Sequence, residues 1–325
     1  MRVTAVLVAY NRRELLRESL AALAAQSRPV DRLIVVDNAS DDGSVEVAAE
    51  MLESWGARAR HVTLTENTGG AGGFATGIAA AVIEDDTDWV WVMDDDTVPG
   101  PDALAGALAL HERYRATGRD DLAVMGSRVL WTDGADHPMN TPKAKIRASA
   151  AERSRAASVG AMEIRSISFV SAFLRAARVR ELGLPIADYF LWNDDFEYSA
   201  RLLRGARGLF VPDSVVTHRT VKRGSSDQDP GARFYYEVRN KIWVFRRSSA
   251  LLPWEKLLYA AATARRWLRT FRASGDRAQL RDCLRRGWAD GWRRSPRPTR
   301  EVLRNAGIPV DVMVTVDRLS RIGER

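Results

Sequence analysis

The stretch that decides the fold is DWVWVMDDDTVP, residues 88–99, in which an apolar run stops at three consecutive aspartates. The run is short and rich in aromatic and β-branched residues, which favours a buried strand over a helix. Its polar end is then expected at the carboxyl edge of a sheet, where α/β folds bind their ligands. The sequence therefore predicts a sheet whose ligand-binding edge carries this aspartate triplet.

Asp94, Asp95 and Asp96 are adjacent carboxylates, which repel one another at neutral pH unless a cation lies between them. Side chains alternate along an extended chain, so Asp94 and Asp96 are expected on the same side. Two carboxylates on one side suit a hard divalent ion such as Mg²⁺ or Mn²⁺. The alternative is that the triplet only caps a following helix, with Pro99 or Pro101 in the first turn.

Composition limits the class of protein. With 325 residues, 46% of them hydrophobic and 28% charged, the chain can form one large domain or two ordinary ones. The single cysteine, Cys283, excludes a disulfide framework and a thiolate metal site, and we expect a reducing, cytoplasmic setting. No run of 18 apolar residues and no cleavable leader is evident, so neither a spanning helix nor export is expected.

Buried strands alternate with amphipathic helices along the first 130 residues. This alternation is typical of a mostly parallel sheet covered by helices on both faces, so we predict an α/β fold. Further strands are predicted at residues 164–174 and 210–218. The earlier predicted strands cover residues 3–10, 33–36, 61–65, 88–93 and 122–129, and the predicted helices cover residues 11–23, 45–55, 75–83 and 103–114.

A glycine-rich run, residues 69–73, follows the third predicted strand. We predict a loop there, because glycine permits close approach of the backbone to a ligand and the following helix offers its N-terminal amides to an anion. Gly70, Gly72 and Ala75 also match the G-x-G-x-x-A pattern of dinucleotide-binding oxidoreductases. We discount that function because the pattern follows the third strand instead of the first, and no ribose-binding acid follows it.

Two stretches fall outside the alternation. Residues 132–160 are polar and lack a periodic apolar face, which predicts either a lid over the site or a plain surface insertion. Residues 246–304 carry 16 Lys/Arg against five Asp/Glu, interleaved with tryptophans on predicted helices. Such helices fit an anionic membrane surface, or a basic cap that packs on the rest of the chain or on a second subunit.

A second acidic focus, Trp192 to Glu197, opens a predicted helix. Helix capping explains one or two of its polar side chains, but not Asp195 and Glu197 together with a tryptophan. His218 ends a later strand, and imidazole can complete a site with two carboxylates. A pI of 9.8 also allows a nucleic-acid-binding module, although both acidic foci would repel phosphates unless they held metal.

These motifs resemble the family 2 glycosyltransferases of the GT-A fold. Within that family the Gly-Gly-Ala-Gly-Gly-Phe run, the triple aspartate, the Trp-x-Asp-Asp-x-Glu run and the later histidine are similar to the galactofuranosyltransferases of actinobacterial cell-wall assembly. Tyr235-Tyr236 with Arg239-Asn240 is similar to a motif of bacterial rhamnosyltransferases. The resemblance covers about residues 1–245, and the motifs that carry it are Ala9-Tyr10-Asn11, Val36 to Ser44, Asn67 to Phe74, Asp94 to Asp96 and Asn193 to Glu197.

The resemblance implies a GT-A catalytic domain over residues 1–245 and a basic helical region over residues 246–325 that docks on a membrane or a subunit. It implies an inverting, metal-dependent transfer of galactofuranose from UDP-galactofuranose, or of rhamnose from dTDP-rhamnose. The acceptor would be a glycan or a polyprenyl-diphosphate-linked saccharide in cell-envelope synthesis. The enzyme would lie at the inner face of the membrane, without a nucleic-acid partner, and a homo-oligomer is possible.

The resemblance also implies residue roles. Asp94, Asp96 and His218 would hold Mn²⁺ or Mg²⁺, which stabilises the leaving diphosphate, and Asp195 would take the proton of the acceptor hydroxyl. Asp37 would accept the uracil N3–H. The remaining donor-binding residues would be Ala9, Tyr10, Asn11, Asn67, Gly72, Gly73 and Asp95. The acceptor-binding residues would be Trp192, Asp194, Glu197, Tyr236, Arg239 and Asn240, with Trp192 stacking on a sugar and Arg239 meeting a diphosphate.

Overall fold

A computed structural model describes residues 1–220 and 229–323 of the chain. The strands are β1 Val3–Ala9, β2 Arg32–Asp37, β3 Ala59–Thr63, β4 Trp89–Asp94, β5 Thr97–Pro99, β6 Leu122–Leu130, β7 Lys143–Ala144, β8 Met162–Ser166, β9 Ala172–Arg175 and β10 Arg207–His218. The α-helices are α1 Arg13–Ala24, α2 Ser44–Leu52, α3 Gly69–Ala81, α4 Ala103–Arg115, α5 Ala150–Ser158, α6 Ala176–Leu182, α7 Asp194–Leu202, α8 Phe234–Arg246, α9 Pro253–Ala273, α10 Arg277–Arg293, α11 Thr299–Val302 and α12 Val310–Gly323.

The described strands form one mixed sheet in the order β3-β2-β1-β4-β9-β6-β10-β8-β7, with β5 paired to β10. Strands β1 to β4 run parallel to one another, and β6 and β10 are also parallel. Strand β9 lies between β4 and β6 and is antiparallel to both. The parallel strands on its two sides therefore all run in the same direction. The carboxyl ends of β1, β2, β4 and β10 therefore meet at one edge, and the predicted α/β fold is confirmed.

Strand β1 is buried along its whole length, as the continuous apolar run predicts. Its side chains alternate between two cores: Val6 and Val8 belong to the cluster that contains Ile78 of α3, whereas Leu7 belongs to the cluster with Leu16 of α1. Helices thus cover both faces of the sheet. This double cover leaves the strand ends as the place where polar side chains can converge.

The predicted glycine loop is wrong, because the run forms the first turns of α3, which begins at Gly69. The glycines serve close packing of this helix on the sheet. A Cβ on Gly73 would lie 2.5 Å from Val8 Cγ1, and one on Gly77 would lie 2.3 Å from Val6 Cγ1. A Cβ on Gly72 would lie 2.3 Å from Thr68 Oγ1. Gly73 and Gly77 therefore let the helix approach the sheet, whereas Gly72 leaves room for the Thr68 side chain.

Residues 132–160 carry secondary structure that their composition does not indicate. Helix α5 begins with a capping box, in which Ser149 Oγ accepts from the Glu152 N–H and the Glu152 carboxylate accepts from the Ser149 N–H. Strand β7 pairs with β8. The segment is therefore an insertion anchored to the end of the sheet.

Residues 164–174 were predicted as one strand, and the structure instead divides them between β8 and β9. The reason is that β8 pairs with β10, whereas β9 lies between β4 and β6. The aspartate triplet also differs from the capping alternative: Thr97 to Pro99 form β5, and α4 begins only at Ala103.

The C-terminal helices pack in two places. Helix α10 packs on α8, whereas Leu303, Val312 and Val316 join the same core cluster as α3. Arg60 and Asp311 form an ion pair with a 2.6 Å contact beside that cluster. The division at residue 245 stays a prediction, and the last helices share the core of the sheet. Among the described residues no helix has both the length and the hydrophobicity needed to cross a bilayer.

Candidate active site

The predicted metal ligands meet at the carboxyl edge of the sheet. Strand β5 pairs with β10 so that Thr97 lies opposite His218, and the Arg219 N–H donates to the Asp96 carbonyl at 2.8 Å. This pairing carries His218 Nε2 to 3.1 Å from Asp96 Oδ1. One ligand atom from each of Asp94, Asp96 and His218 lies within 4.8 Å of the others. Three residues from β4, the following turn and β10 thus form one cluster.

The cluster fits a divalent cation. Asp96 Oδ1 is buried beside His218 Nε2, and when that nitrogen carries no proton the oxygen has no donor among the residues that the structure describes, a costly state for a carboxylate oxygen unless a cation approaches it. Burial, together with the charge of Asp96, raises the pKa of Asp94 to about 6. Two carboxylates and one imidazole suit Mn²⁺, and Mg²⁺ also favours such oxygens. Asp94, Asp96 and His218 would hold the ion.

Arg12 is a site residue that the sequence did not reveal. Its guanidinium contacts the Asp96 carboxylate and lies 3.3 Å from Asp95 Oδ1. Asp95 Oδ2 accepts from the Tyr10 N–H at 2.9 Å. Burial raises the pKa of Asp95 to about 7 although Arg12 and the Tyr10 amide oppose the shift. Asp95 therefore holds the first loop against the triplet, and its expected contact to the donor stays a prediction.

The end of β2 offers an anchor for a donor. Asp37 is fully buried, and its Oδ1 accepts from the Ser40 N–H at 2.8 Å. Its Oδ2 is buried without a hydrogen-bond partner in the described part of the chain, so it can accept one N–H from a ligand. Tyr10 is exposed nearby along the first loop, and Asn11 adopts φ 51° there. An unpartnered acceptor beside an exposed aromatic ring suits a nucleobase.

Asn38 connects this anchor to the start of α3. Its Oδ1 accepts from the Thr68 N–H at 2.9 Å, and its Nδ2 donates to the Gly69 carbonyl at 3.0 Å and to Asn67 Oδ1 at 3.1 Å. Asn67 Oδ1 also accepts from the Gly69 N–H. Asn67 therefore stabilises the turn before α3, and its Oδ1 already accepts two hydrogen bonds within the protein.

The second acidic focus begins α7 after a strained turn. Phe190, Trp192 and Asn193 all have φ between 63° and 67°, which is unusual for residues other than glycine. Asn240 holds the turn, because its Nδ2 lies within hydrogen-bond distance of the Tyr189, Leu191 and Trp192 carbonyls at 2.8 to 2.9 Å. The strain is thus maintained by a fully buried side chain of α8.

Arg239 supports the same turn from α8. Its guanidinium donates to the Asp188 carbonyl at 2.6 Å and to the Tyr189 carbonyl at 3.1 Å, and it packs over Tyr236. Tyr236 in turn stacks on Phe190, with ring centroids 5.2 Å apart. Arg239 and Asn240 were expected to bind the acceptor, and the structure instead gives their polar groups to the backbone of the turn. Tyr236 remains half-buried beside it.

Glu197 was also expected to bind the acceptor, but its carboxylate has protein partners. Its Oε1 accepts from Arg201 at 3.0 Å and from Ser248 Oγ at 2.7 Å, and its Oε2 lies 3.2 Å from Arg201. The side chain is buried, so this ion pair joins α7 to the segment after α8. We therefore revise Glu197 to a residue that positions α7.

Asp194 and Asp195 lie at the start of α7 near the metal ligands. Burial, then the charge of Asp195, raises the pKa of Asp194 well above its ordinary value. Burial also raises the pKa of Asp195, whereas Lys241 lowers it. The charge of Asp195 acts on Asp94, and that of Asp94 acts on Asp194. The two acidic foci are therefore close enough to influence one another's protonation.

Two lysines complete the surroundings of Asp195, and sequence reasoning missed both. Lys241 is buried on α8, with its Nζ 4.1 Å from the centroid of the Phe196 ring. Burial lowers the pKa of Lys241 to about 8, although Asp195 opposes the shift. Lys143 comes from the exposed strand β7 of the inserted segment, and partial desolvation lowers its pKa although the charge of Asp195 opposes the shift. The sequence pattern that could have indicated a buried Lys241 is its position on the same face of α8 as the buried Val244.

The fold and the paired acidic foci define a glycosyltransferase of the GT-A class. Solved structures agree on the fold. TarS of S. aureus, in the crystal structure of its residues 1–349 in complex with UDP, matches all of this chain and 90% of its own with a TM-score of 0.60 and 15% identity. The mannosyltransferase PcManGT from Pyrobaculum calidifontis, in complex with GDP-Man and Mn²⁺, matches 99% of this chain and 86% of its own with a TM-score of 0.53 and 19% identity.

Sequence comparison gives the family. The model of glycosyl transferase family 2 matches residues 4–153. The galactofuranosyltransferase GlfT1 of Mycobacterium tuberculosis is 32% identical over 285 residues, which cover 82% of this chain and 86% of that protein. GlfT1 of Mycolicibacterium smegmatis is 30% identical over 207 residues, 62% of this chain and 65% of that protein. The chain belongs to glycosyl transferase family 2 and is a galactofuranosyltransferase-like member of it.

Proposed function

We propose that the protein is an inverting, metal-dependent galactofuranosyltransferase. It transfers galactofuranose from UDP-galactofuranose to a hydroxyl of a glycan or a polyprenyl-diphosphate-linked saccharide in cell-envelope synthesis. Similarity to galactofuranosyltransferases supports the sugar. The observation that carries the reaction is the Asp94, Asp96 and His218 cluster within electrostatic reach of a second carboxylate, Asp195.

On the donor side, the free Asp37 Oδ2 accepts the N3–H of uracil, and Tyr10 flanks the base. This contact anchors the donor in the ground state and fixes the direction of its diphosphate. A divalent ion bound by Asp94, Asp96 and His218 supplies Lewis-acid stabilisation of the negative charge on the leaving UDP. Arg12 lies beside the same carboxylates and adds positive charge at the entrance to the site.

On the acceptor side, Asp195 acts as the general base. The acceptor oxygen forms a bond to the anomeric carbon while the bond from that carbon to the phosphate oxygen breaks and UDP leaves with its electron pair. Asp195 receives the hydroxyl proton on the face opposite the leaving group, so the configuration inverts. Asp194, whose pKa burial raises, forms a hydrogen bond with the acceptor, and Trp192 stacks on its sugar face.

A donor screen tests the proposal. Release of nucleotide is measured with UDP-galactofuranose, UDP-galactopyranose and dTDP-rhamnose, each with Mn²⁺, Mg²⁺ or EDTA. We expect UDP release from UDP-galactofuranose with either metal and its loss in EDTA. Turnover of dTDP-rhamnose alone would make the protein a rhamnosyltransferase, the alternative that the Tyr235-Tyr236 and Arg239-Asn240 motifs favour. Equal rates with and without EDTA would contradict metal dependence.

Lys241→Met is expected to move the acidic limb of the pH profile of kcat to higher pH. Asp195 must be ionised to accept a proton, and burial already raises its pKa. The positive charge of Lys241 lowers that pKa, so removing the charge leaves more of the base protonated at neutral pH. We expect kcat to fall roughly tenfold at pH 6.5 and much less at pH 9. The measurement is a pH–rate profile of both proteins.

Lys241→Arg keeps the charge and serves as the matched control for this prediction. Its acidic limb should remain near that of the unmodified protein. A Lys241→Met profile that is lower by the same factor at every pH would instead assign Lys241 a purely structural role.

The proposed membrane contact lies on α9 and α10. Trp288 and Trp292 expose 50% and 46% of their surface, and they line a groove with Leu284 between the two helices. Arg281, Arg285 and Arg293 border the same groove. Aromatic residues ringed by arginines suit an anionic lipid surface, where each basic residue contributes about 1 kcal/mol.

The double variant Trp288→Ala/Trp292→Ala is expected to lower the partition coefficient on phosphatidylglycerol vesicles by at least about tenfold, because each buried aromatic contributes roughly 1.5–3 kcal/mol. Sedimentation with vesicles measures it. Ile146→Ser, which removes an exposed apolar residue elsewhere, is the control. Unchanged sedimentation, or a shift from dimer to monomer in ultracentrifugation instead, would assign the groove to a second copy of the chain.

A further inference from the structure

His218 has a different partner on each ring nitrogen. Its Nδ1 lies 3.0 Å from Oδ1 of Asn140, and its Nε2 lies 3.1 Å from Asp96 Oδ1. An amide oxygen accepts hydrogen bonds only, so the proton of the ring lies on Nδ1. The lone pair of neutral Nε2 then points at a carboxylate oxygen. Two acceptors at this distance require a cation or a proton between them.

Asn140 itself is held in place. It is 7% exposed, its backbone N–H donates to the His137 carbonyl at 3.1 Å, and its Nδ2 donates to Ser168 Oγ at 3.1 Å. The contact to Ser168 holds the plane of the amide, and in this orientation the amide nitrogen lies on Ser168 Oγ and the amide oxygen faces His218. The opposite orientation would direct Nδ2 at the ring and would place the ring proton on Nε2, where it blocks a metal ion.

The surrounding segment explains how Asn140 reaches the site. The His137 N–H donates to the Val129 carbonyl at 2.8 Å, which extends the ladder of β6 into the insertion. Trp131 Nε1 donates to the Thr220 carbonyl at 3.1 Å, just beyond β10. The His137 ring lies beside the His218 ring, with centroids 5.1 Å apart. The insertion is thus fastened to the strand end that carries His218.

We propose that Asn140, held in place by Ser168, is a positioning residue that fixes the Nδ1–H tautomer of His218 and so presents Nε2 to the divalent cation. This inference rests on the proposed metal-dependent function and assigns a task in it to the segment 132–160. Outer hydrogen bonds of this kind orient a metal-binding histidine and raise its basicity. Asn140 acts only through His218 and does not contact the substrate in this role.

Manganese affinity gives the first test. Mn²⁺ is titrated into the full chain with saturating UDP, and the free ion is followed by electron paramagnetic resonance. Asn140→Leu, of similar volume but without an acceptor, should weaken Mn²⁺ binding about 10–100-fold. Asn140→Asp keeps the acceptor and should stay within a few-fold of the unmodified protein. Ser168→Ala should weaken binding by only about two- to fivefold, because it removes one hydrogen bond that holds the amide.

The tautomer gives the second test, which does not depend on bound metal. The chain has only four histidines, so ¹⁵N-labelled histidine resolves the ring nitrogens of His218, assigned with His218→Gln. In the Mg²⁺-loaded protein Nδ1 alone should carry a proton, and in the EDTA-treated protein Nδ1 should keep its proton while a second proton lies between Nε2 and Asp96. In EDTA-treated Asn140→Leu only the proton on Nε2, facing Asp96, should remain. Asn305→Leu, which changes an exposed asparagine, should leave both readouts unchanged.

The two tests separate the inference from the function on which it rests. Mn²⁺ affinity of Asn140→Leu within twofold of the unmodified protein, or a proton on Nε2 of His218 in the unmodified Mg²⁺-loaded protein, would overturn the role of Asn140. Failure of the unmodified protein to bind Mn²⁺ would overturn the metal part of the proposed function. The tautomer in the EDTA-treated proteins would still decide the role of Asn140.

Discussion

Asp195→Asn is expected to lower kcat by about 10²–10⁴-fold while the affinity for UDP stays within about twofold. The amide has the shape of the carboxylate but cannot accept the proton of the acceptor hydroxyl. Asp195 lies on α7 and contributes nothing to the anchor at Asp37, so donor binding should survive. The measurement is kcat with saturating UDP-galactofuranose and acceptor, together with calorimetric titration of UDP in Mn²⁺.

Asp194→Asn is the matched control, because it changes the neighbouring carboxylate in the same turn. Burial and the charge of Asp195 raise the pKa of Asp194 well above its ordinary value, so its environment favours a neutral side chain. Asparagine therefore replaces a neutral hydrogen-bonding group, and kcat should fall by no more than about tenfold. The reverse order, with the larger loss in Asp194→Asn, would move the base to Asp194.

The parts of this fold that follow from local pattern were predictable. The apolar run before Asp94 and the alternation of strands with helices indicate parallel strands buried on both faces, and the polar ends of such strands meet at one edge. The sequence therefore predicts that Asp94, Asp96 and His218 meet at that edge. The separation of β8 from β9 was not predictable, because it depends on pairing with strands that are distant in sequence.

The contacts that support the candidate site could not be predicted from the sequence, for physical reasons. Glycines before a helix resemble a ligand loop, and only the approach of Val8 and Val6 to Gly73 and Gly77 shows that they serve packing. Asn140 lies in a polar segment without periodicity, so nothing marks it as a neighbour of His218. Arg239 and Asn240 follow a recognisable motif, yet the motif does not reveal that they hold the backbone of the turn before α7.

The remaining large effect is expected at the metal ligands. Asp96→Asn should abolish tight Mn²⁺ binding and lower kcat by about 10³-fold, since a Lewis acid contributes several kcal/mol to charge stabilisation in the transition state. The amide oxygen remains a weak ligand, but one negative charge of the cluster is lost while Arg12 stays beside it. Manganese titration by electron paramagnetic resonance and kcat with saturating metal measure the two effects.

Asp95→Asn tests whether the loss of metal binding is specific to a ligand, because Asp95 is adjacent to Asp96 in sequence but lies outside the ligand cluster. Its carboxylate supports the Tyr10 N–H and Arg12, and asparagine can still accept one hydrogen bond there. Mn²⁺ affinity should therefore remain within about threefold, whereas the affinity for UDP should decrease as the first loop loosens. Equal loss of metal in both variants would mean that the charge of the whole triplet attracts the ion. Turnover of Asp96→Asn within tenfold of the unmodified protein would remove the cation from the reaction.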